Sequence, residues 1–255
     1  MVFVAKSASA AEWRVVAKAV STLVEEATFE ASAEGISFRA MDPSHVALID
    51  LFWPNSAFEK YECDKQFRFT VRVTDFAKLL SRADPKDSVE VSSKDEGKLT
   101  IRFSNSYTRE FSINLLESPE TPTPLPKLGF KAKLTLSGSA LESVLADVTA
   151  VDSNHIQIEA SRERVVFRGS SPLGSAEAAL DRGHPDIIDL SVEQSEPAKA
   201  AYSTEYLIDV VKAANRSDQP ATLEYSPKAP LRLEFKLGEQ GRITFYLAPR
   251  IIEEE

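Results

Sequence analysis

The sequence predicts an α+β fold of two similar domains, each with two short helices packed on antiparallel strands. Three observations lead there: a motif repeated once at a fixed offset, the same order of helical and alternating apolar patterns in both halves, and a proline-rich stretch between them. Phe29-Glu30-Ala31-Ser32, followed by Ile36-Ser37-Phe38-Arg39, is matched by Ile158-Glu159-Ala160-Ser161 followed by Val165-Val166-Phe167-Arg168. The offset is constant (158 − 29 = 167 − 38 = 129). In each copy apolar and polar residues alternate on either side of a short polar break, Ala33-Glu34-Gly35 or Arg162-Glu163-Arg164, which predicts a β-hairpin.

The other elements follow in order. Ahead of the first hairpin Trp13, Val16, Ala17, Val20 and Leu23 recur at helical spacing, and ahead of the second Leu141, Val144, Leu145 and Val148 do the same. After the hairpins, Thr74-Asp75-Phe76 with Leu79 and Leu80 has its counterpart in Thr204-Glu205-Tyr206 with Val210 and Val211. Each Thr is placed to cap a helix, and the acid behind it suits a helix N-terminus. Strand-like runs close both halves: Val89 to Val91, Leu99 to Phe103 and Phe111 to Leu115, against Leu223 to Tyr225, Leu231 to Phe235 and Ile243 to Leu247. Between the halves runs Ser118-Pro119-Glu120-Thr121-Pro122-Thr123-Pro124-Leu125-Pro126, whose prolines exclude a helix and favour an extended, stiff connector. The expected domains are 1–117 and 131–255, with a connector over 118–130 that adds Leu125, Leu128 and Phe130 as exposed apolar side chains.

Of the 255 residues 39 are acidic and 30 basic, a net charge of −9 that argues against a uniformly basic, DNA-coating surface. Cys63 is the single cysteine, so neither an internal disulfide nor a cysteine-rich metal site is expected, and a reducing compartment fits. The chain start lacks the apolar core of a signal peptide, and no apolar run approaches the roughly 18 residues of a membrane span. A cytoplasmic protein without membrane contact is the expectation.

Little points to catalysis. His45, His155 and His184 are scattered without zinc-ligand spacing, and with 9 glycines in the chain there is no phosphate-cradling loop. No metal or cofactor is expected. Asp42, Ser44 and His45 offer acid, hydroxyl and imidazole close together, but Asp-Pro-Ser is ordinary turn chemistry, in which the Asp binds its own backbone. Cys63 sits among Glu62, Asp64 and Lys65, with nothing that marks a reactive thiol.

The helices carry a different signal. Arg14 and Lys18 lie opposite the apolar face of the first, Lys78 and Arg82 opposite Phe76, Leu79, Leu80 and Ala83, and Lys212 and Arg216 opposite Tyr206, Leu207, Val210, Val211 and Ala214. For any one helix, solvation of an outer face accounts for such a pair. Like charges four apart are mildly unfavourable, so three such pairs in an acidic protein ask for a cause, and a phosphate-facing surface supplies one. The remaining helix shows Ser143, Ala146, Asp147 and Ala150 outward instead.

The stretch Ala40-Met41-Asp42-Pro43-Ser44-His45-Val46-Ala47-Leu48-Ile49-Asp50-Leu51 resembles the sliding clamps of the proliferating cell nuclear antigen family, toward their archaeal branch. So does the C-terminal Gly241-Arg242-Ile243-Thr244-Phe245-Tyr246-Leu247-Ala248-Pro249-Arg250, and Leu125-Pro126-Lys127-Leu128-Gly129-Phe130-Lys131-Ala132-Lys133 is similar to the end of the family's connector. The resemblance covers the whole chain. It implies the DNA-clamp fold and a non-enzymatic trimeric ring that encircles duplex DNA without sequence preference, strands outside and helices within. The inner helices would span about 9–22, 74–82, 138–149 and 204–214, with Arg14, Lys18, Lys78, Arg82, Lys212 and Arg216 toward the DNA.

The same resemblance implies partners: the replicative DNA polymerase, the clamp loader, flap endonuclease and DNA ligase, held through short peptides bearing an aliphatic residue and two aromatics on one helical turn. Their pocket would take Met41, His45 and Leu48, Leu125 and Leu128 of the connector, and Pro230, Tyr246, Ala248, Pro249 and Ile251. For Leu48 and Tyr246 core burial is the alternative. Subunits, identical or paralogous, would join edge to edge through Thr108, Arg109, Glu110, Phe111, Ser112 and Ile113 on one strand and Ser175, Ala176, Glu177, Ala178, Ala179 and Leu180 on another. A clamp-like subunit devoted to damage response or scaffolding is the alternative role. The connector departs from the family in its Thr-Pro-Thr-Pro stretch, where relatives are acidic.

Overall fold

The computed structural model describes residues 3–94, 97–118, 123–193 and 197–251. Residues 119–122, which include the first half of the Thr-Pro-Thr-Pro stretch, and the acidic end Glu253 to Glu255 lie outside the described residues. The chain divides into two compact units, residues 1–124 with 236–243, and residues 125–235 with 244–255.

In the first unit the elements are β1 (Phe3–Ser7), α1 (Ala11–Ser21), β2 (Glu26–Ser32), β3 (Gly35–Met41), β4 (Ala47–Pro54), β5 (Lys60–Cys63), β6 (Phe67–Arg72), α2 (Val73–Leu80), β7 (Ser88–Ser93), β8 (Lys98–Ser104) and β9 (Thr108–Asn114). Two antiparallel arrays form, β5-β1-β7-β8-β9 and β4-β3-β2-β6. Alternation dictates them: β2 and β8 bury every second residue, and Phe29, Phe38 and Phe69 all point into one core. Trp13 anchors α1 in that core. Its ring lies 4.8 Å from Trp53 and 6.0 Å from Phe76, and its indole N–H donates to Ser7 Oγ at 3.0 Å, which satisfies the one polar atom it buries. At Gly35, φ is 147° and an added Cβ would lie 2.2 Å from the Trp53 carbonyl oxygen, so this hairpin requires glycine.

The second unit contains β10 (Ala132–Ser137), α3 (Gly138–Thr149), β11 (His155–Ala160), β12 (Arg164–Ser171), β13 (Gly174–Asp181), β14 (Ile187–Val192), β15 (Ala198–Ser203), α4 (Thr204–Ala214), β16 (Pro220–Tyr225) and the greater part of β17 (Leu231–Leu237) and β18 (Gly241–Leu247), whose residues 236–243 count with the first unit. Its arrays are β14-β10-β16-β17 and β13-β12-β11-β15. The repeat seen in the sequence is a repeat of register. Phe29 faces Phe38 across β2 and β3, and Ile158 faces Phe167 across β11 and β12.

The predicted helices are present with small shifts. The first spans 11–21 rather than 9–22, and the second begins at Val73 and ends at Leu80, short of 82. Neither threonine caps its helix: the N-cap positions are Arg72 and Ser203, and neither side chain makes a capping hydrogen bond. The chain leaves β6 and β15 straight into helix, so the last strand residue takes the cap position and the threonine falls inside the first turn. Only at α3 among the four helices does the cap side chain act, Ser137 Oγ accepting from Ala140 N at 3.2 Å.

Candidate functional site

The six predicted DNA-facing cations do not form three equivalent pairs. Lys18, Lys78 and Lys212 are exposed, each in the last turn of its helix, where a cation also complements the helix dipole. Arg82 is exposed but lies past the end of α2. Arg216 lies past the end of α4 and pairs with Asp218 at 3.4 Å.

Arg14 turns inward. Its Nε donates to the Leu80 carbonyl at 3.1 Å and its Nη2 to the Ala83 carbonyl, so α1 supplies the C-terminal cap that α2 lacks in its own sequence. The outward face of α3 carries Glu142 and Asp147 beside Ser143, Ala146 and Ala150, all exposed, as its sequence indicates. Glu142 accepts from Asn215 Nδ2 at 2.8 Å and from Ser217 Oγ at 3.0 Å, tying the start of α3 to the loop after α4.

Both predicted interface segments are outer strands. Among the described residues β9 pairs with β8 alone, and β13 with β12 alone. On β9, Thr108, Glu110 and Ser112 are exposed, while Arg109, Phe111 and Ile113 on the other face are half-buried. On β13 the exposed set is Ser175, Glu177 and Ala179, and the opposite set is Ala176, Ala178 and the buried Leu180. One strand is bulky on its sheltered face and the other small. Neither carries the lysine or proline with which exposed edges are commonly guarded.

Arg109 is engaged within its own unit. Its guanidinium donates to the Arg82 carbonyl at 2.8 Å, to Asp84 Oδ2 at 3.1 Å and to the buried Asp87, and it lies 5.5 Å and 5.2 Å from the ring centroids of Phe103 and Tyr107. Two arginines, from α1 and β9, therefore hold the carbonyls of the turn that ends α2. Sequence reasoning missed this turn because carbonyl acceptors leave no trace in side-chain patterns.

The predicted peptide-pocket residues fall in both units. In the first, Met41 is half-buried and faces the buried Leu48 across β3 and β4, and His45 is exposed at φ 59°. Between them Asp42, 4% exposed, accepts from the N–H groups of Ser44 at 3.1 Å, Val46 at 2.8 Å and Ala47 at 2.7 Å. That carboxylate organises a loop, as its turn chemistry predicts. In the second unit Leu125 is exposed, and Leu128, Pro230, Tyr246 and Ala248 are half-buried.

Pro249 and Ile251 line a cavity of about 490 Å³ in the second unit. Its other walls are Pro197, Ala200, Ala201 and Pro227, and its polar groups are Gln157, Lys199, Lys228 and Arg250. The segment after β18 is pinned there by Arg250 N donating to the Ala201 carbonyl at 2.7 Å. Apolar walls with a few polar groups are the general make-up of a binding pocket. Of the ten predicted pocket residues, Pro249 and Ile251 are the two in its described lining, while Met41, His45, Leu48, Leu125, Leu128, Pro230, Tyr246 and Ala248 lie outside it; the lining from β11, β15 and the turn after β16 was missed by sequence reasoning, since those segments are far in sequence from the C-terminal motif. The Cys63 thiol donates to the Lys65 carbonyl, and burial, then Asp64, push its ionisation upward.

A duplicated α+β unit with an open strand edge in each copy and cations on its helices is the make-up of a ring-forming clamp subunit. Residues 2–117 match the family model for the N-terminal domain of proliferating cell nuclear antigen, and residues 124–250 match that for its C-terminal domain. The chain is 45% identical over 251 residues to the DNA polymerase sliding clamps of Nitrosopumilus maritimus and of Cenarchaeum symbiosum, covering 98% of this chain and 99% of each relative. Its fold superposes on the proliferating cell nuclear antigen of Thermococcus kodakaraensis with a TM-score of 0.92 at 25% identity, over 97% of this chain and 100% of that one. The chain belongs to the proliferating cell nuclear antigen family.

Proposed function

We propose that this protein is a DNA polymerase sliding clamp: a processivity factor, not a catalyst, that closes into a three-membered ring around duplex DNA. The observation that carries this reading is that β9 and β13, one on each unit, end their sheets, as β5, β6, β14 and β15 also do, in a chain whose full-length relatives bear that name. A head-to-tail contact between two different surfaces of one chain, here β9 and β13, builds a ring when its rotation closes, and closure leaves neither of these two edges open. Lys18, Lys78, Arg82 and Lys212 supply scattered, sequence-blind phosphate contacts. Enclosure rather than affinity keeps the ring in place, so few contacts suffice and sliding stays possible.

Partner enzymes, the polymerase first and then clamp loader, flap endonuclease and ligase, dock through short peptides, for which the cavity walled by Pro249 and Ile251 is the seat. Work at the DNA places the protein at the nucleoid. The test is polymerase processivity on primed circular DNA, with light scattering for the ring mass. Stimulation by a particle of three protomers is expected. Failure of this chain to stimulate, alone and with any paralogue, refutes the assignment. The carboxylates on α3 favour a second reading as a damage-response or scaffolding subunit, which charge reversal at Lys78 and Lys212 separates. DNA retention that survives K78E/K212E supports the scaffold.

A further inference from the structure

The chain carries more acids than bases, yet among the described residues lining the cavity of the second unit there are three cations and no carboxylate. Lys199 enters from β15, Lys228 from the turn between β16 and β17, and Arg250 from the segment after β18. Lys228 and Arg250 are exposed, and neither forms an ion pair with a carboxylate among the described residues. The field of Arg250 is felt nearby: burial first, and the charge of Arg250 second, hold the His155 imidazole below its ordinary range.

The cations sit on a fixed frame. Lys228 is held at φ 58° in a turn closed by Ala229 N donating to the Ser226 carbonyl at 3.1 Å, and the Tyr202 hydroxyl donates to the Ala229 carbonyl at 3.0 Å. Three prolines stiffen the walls. A rigid apolar seat with a cationic rim is matched by a ligand that presents apolar side chains and, next to them, negative charge.

We propose that the peptides seated in this cavity carry an aspartate or glutamate directly beside their apolar anchors, and that Lys228 and Arg250 select for it. The inference rests on the reading of this cavity as the docking seat, and it adds the chemistry that ranks one partner above another. In a ring that offers equal seats to competing enzymes, that ranking decides which of them occupies the DNA.

Fluorescence anisotropy with the full-length protein tests it. The probes are labelled synthetic peptides with one aliphatic and two aromatic anchors on a helical turn, flanked on either side by aspartate, alanine or lysine. The aspartate-flanked peptide is expected to bind about fivefold more tightly than the alanine one at low salt, the gain of two partly exposed ion pairs, and the gap should narrow in high salt. In a K228Q/R250Q variant the aspartate and alanine peptides should bind alike, and in K228E/R250E the lysine-flanked peptide should take first place. Equal affinities for all three peptides on the parent protein overturn the selection while leaving the docking seat intact. An oligonucleotide that displaces the aspartate-flanked peptide better than unlabelled peptide does assigns the cations to nucleic acid and overturns it as well. If no peptide of any flank binds, the docking reading fails, and the inference with it.

Discussion

Replacing Arg109 by alanine separates what its sequence position suggests from what its surroundings show. As a residue of an outer strand it reads as an intersubunit contact, but its guanidinium lies in a cage formed by the Arg82 carbonyl, Asp84, Asp87 and the rings of Phe103 and Tyr107. The Asp87 side chain is 1% exposed, and that of Arg109 18%. Removing one partner of a buried ion pair costs about 3–5 kcal/mol, because the other charge stays buried and unmatched. Asp87 keeps a hydrogen bond from Asp84 N at 2.6 Å, which places the loss toward the lower end. About 3 kcal/mol corresponds to a drop of roughly 10 °C in the melting temperature of a unit this size.

The assay is urea and thermal unfolding of R109A at several protomer concentrations, beside D87A and the double variant. Concentration separates the folding of the unit from assembly of the ring. R109A should lose stability equally at all concentrations, and the double variant should lose less than the sum of the singles. A loss under about 1 kcal/mol, or one that vanishes as protomer concentration rises, refutes the cage and returns Arg109 to the interface.

Three other expectations can be checked with similar tools. D42A leaves three loop N–H groups without their acceptor, and calorimetry should register a loss of about 2–4 kcal/mol. L48A should cost about 2–5 kcal/mol in denaturant melts, since Leu48 is 3% exposed and acts as core whatever it adds to peptide binding. Burial pushes the Tyr202 and Tyr225 phenols well above the usual range, so the folded state holds their protons more tightly than the unfolded chain does. Their contribution is complete below about pH 10, the unfolded value, and is lost as pH rises beyond it. Phenolate absorbance of these two, isolated by comparison with Y202F and Y225F, should appear only together with alkaline unfolding.

Much of the fold was legible because the signals were periodic. Alternation at Phe29 to Arg39 and at Ile158 to Arg168 marked both hairpins, and apolar spacing indicated the four helices, whose bounds, implied by the family resemblance, fall within two residues of those observed. Helix ends were less legible. Thr74 and Thr204 look like caps, but the strand before each runs directly into helix and leaves them two positions and one position past the cap. The candidate site divided along the same line. Exposed lysines and outer strands could be read, whereas Arg14 and Arg109 could not, because their partners are backbone carbonyls distant in sequence. An i, i+4 pair such as Arg14 and Lys18 records which side of a helix a residue is on, and not whether a neighbouring helix end reaches it first.

In the proposed ring, joints at β9 and β13 also bear on how long a closed assembly lasts. In an open row of protomers each joint is a bimolecular contact, and any terminal member leaves by breaking one of them. The joint that completes the circle forms between ends already tethered, at an effective concentration far above that of free protomer. A member of the finished circle departs only if two joints release within the same short interval, since one that opens alone finds its partner still beside it. Persistence on DNA then needs no strong single contact. A controlled opening at one joint, the least disturbance that admits a strand of duplex, leaves the remaining two to guarantee reclosure.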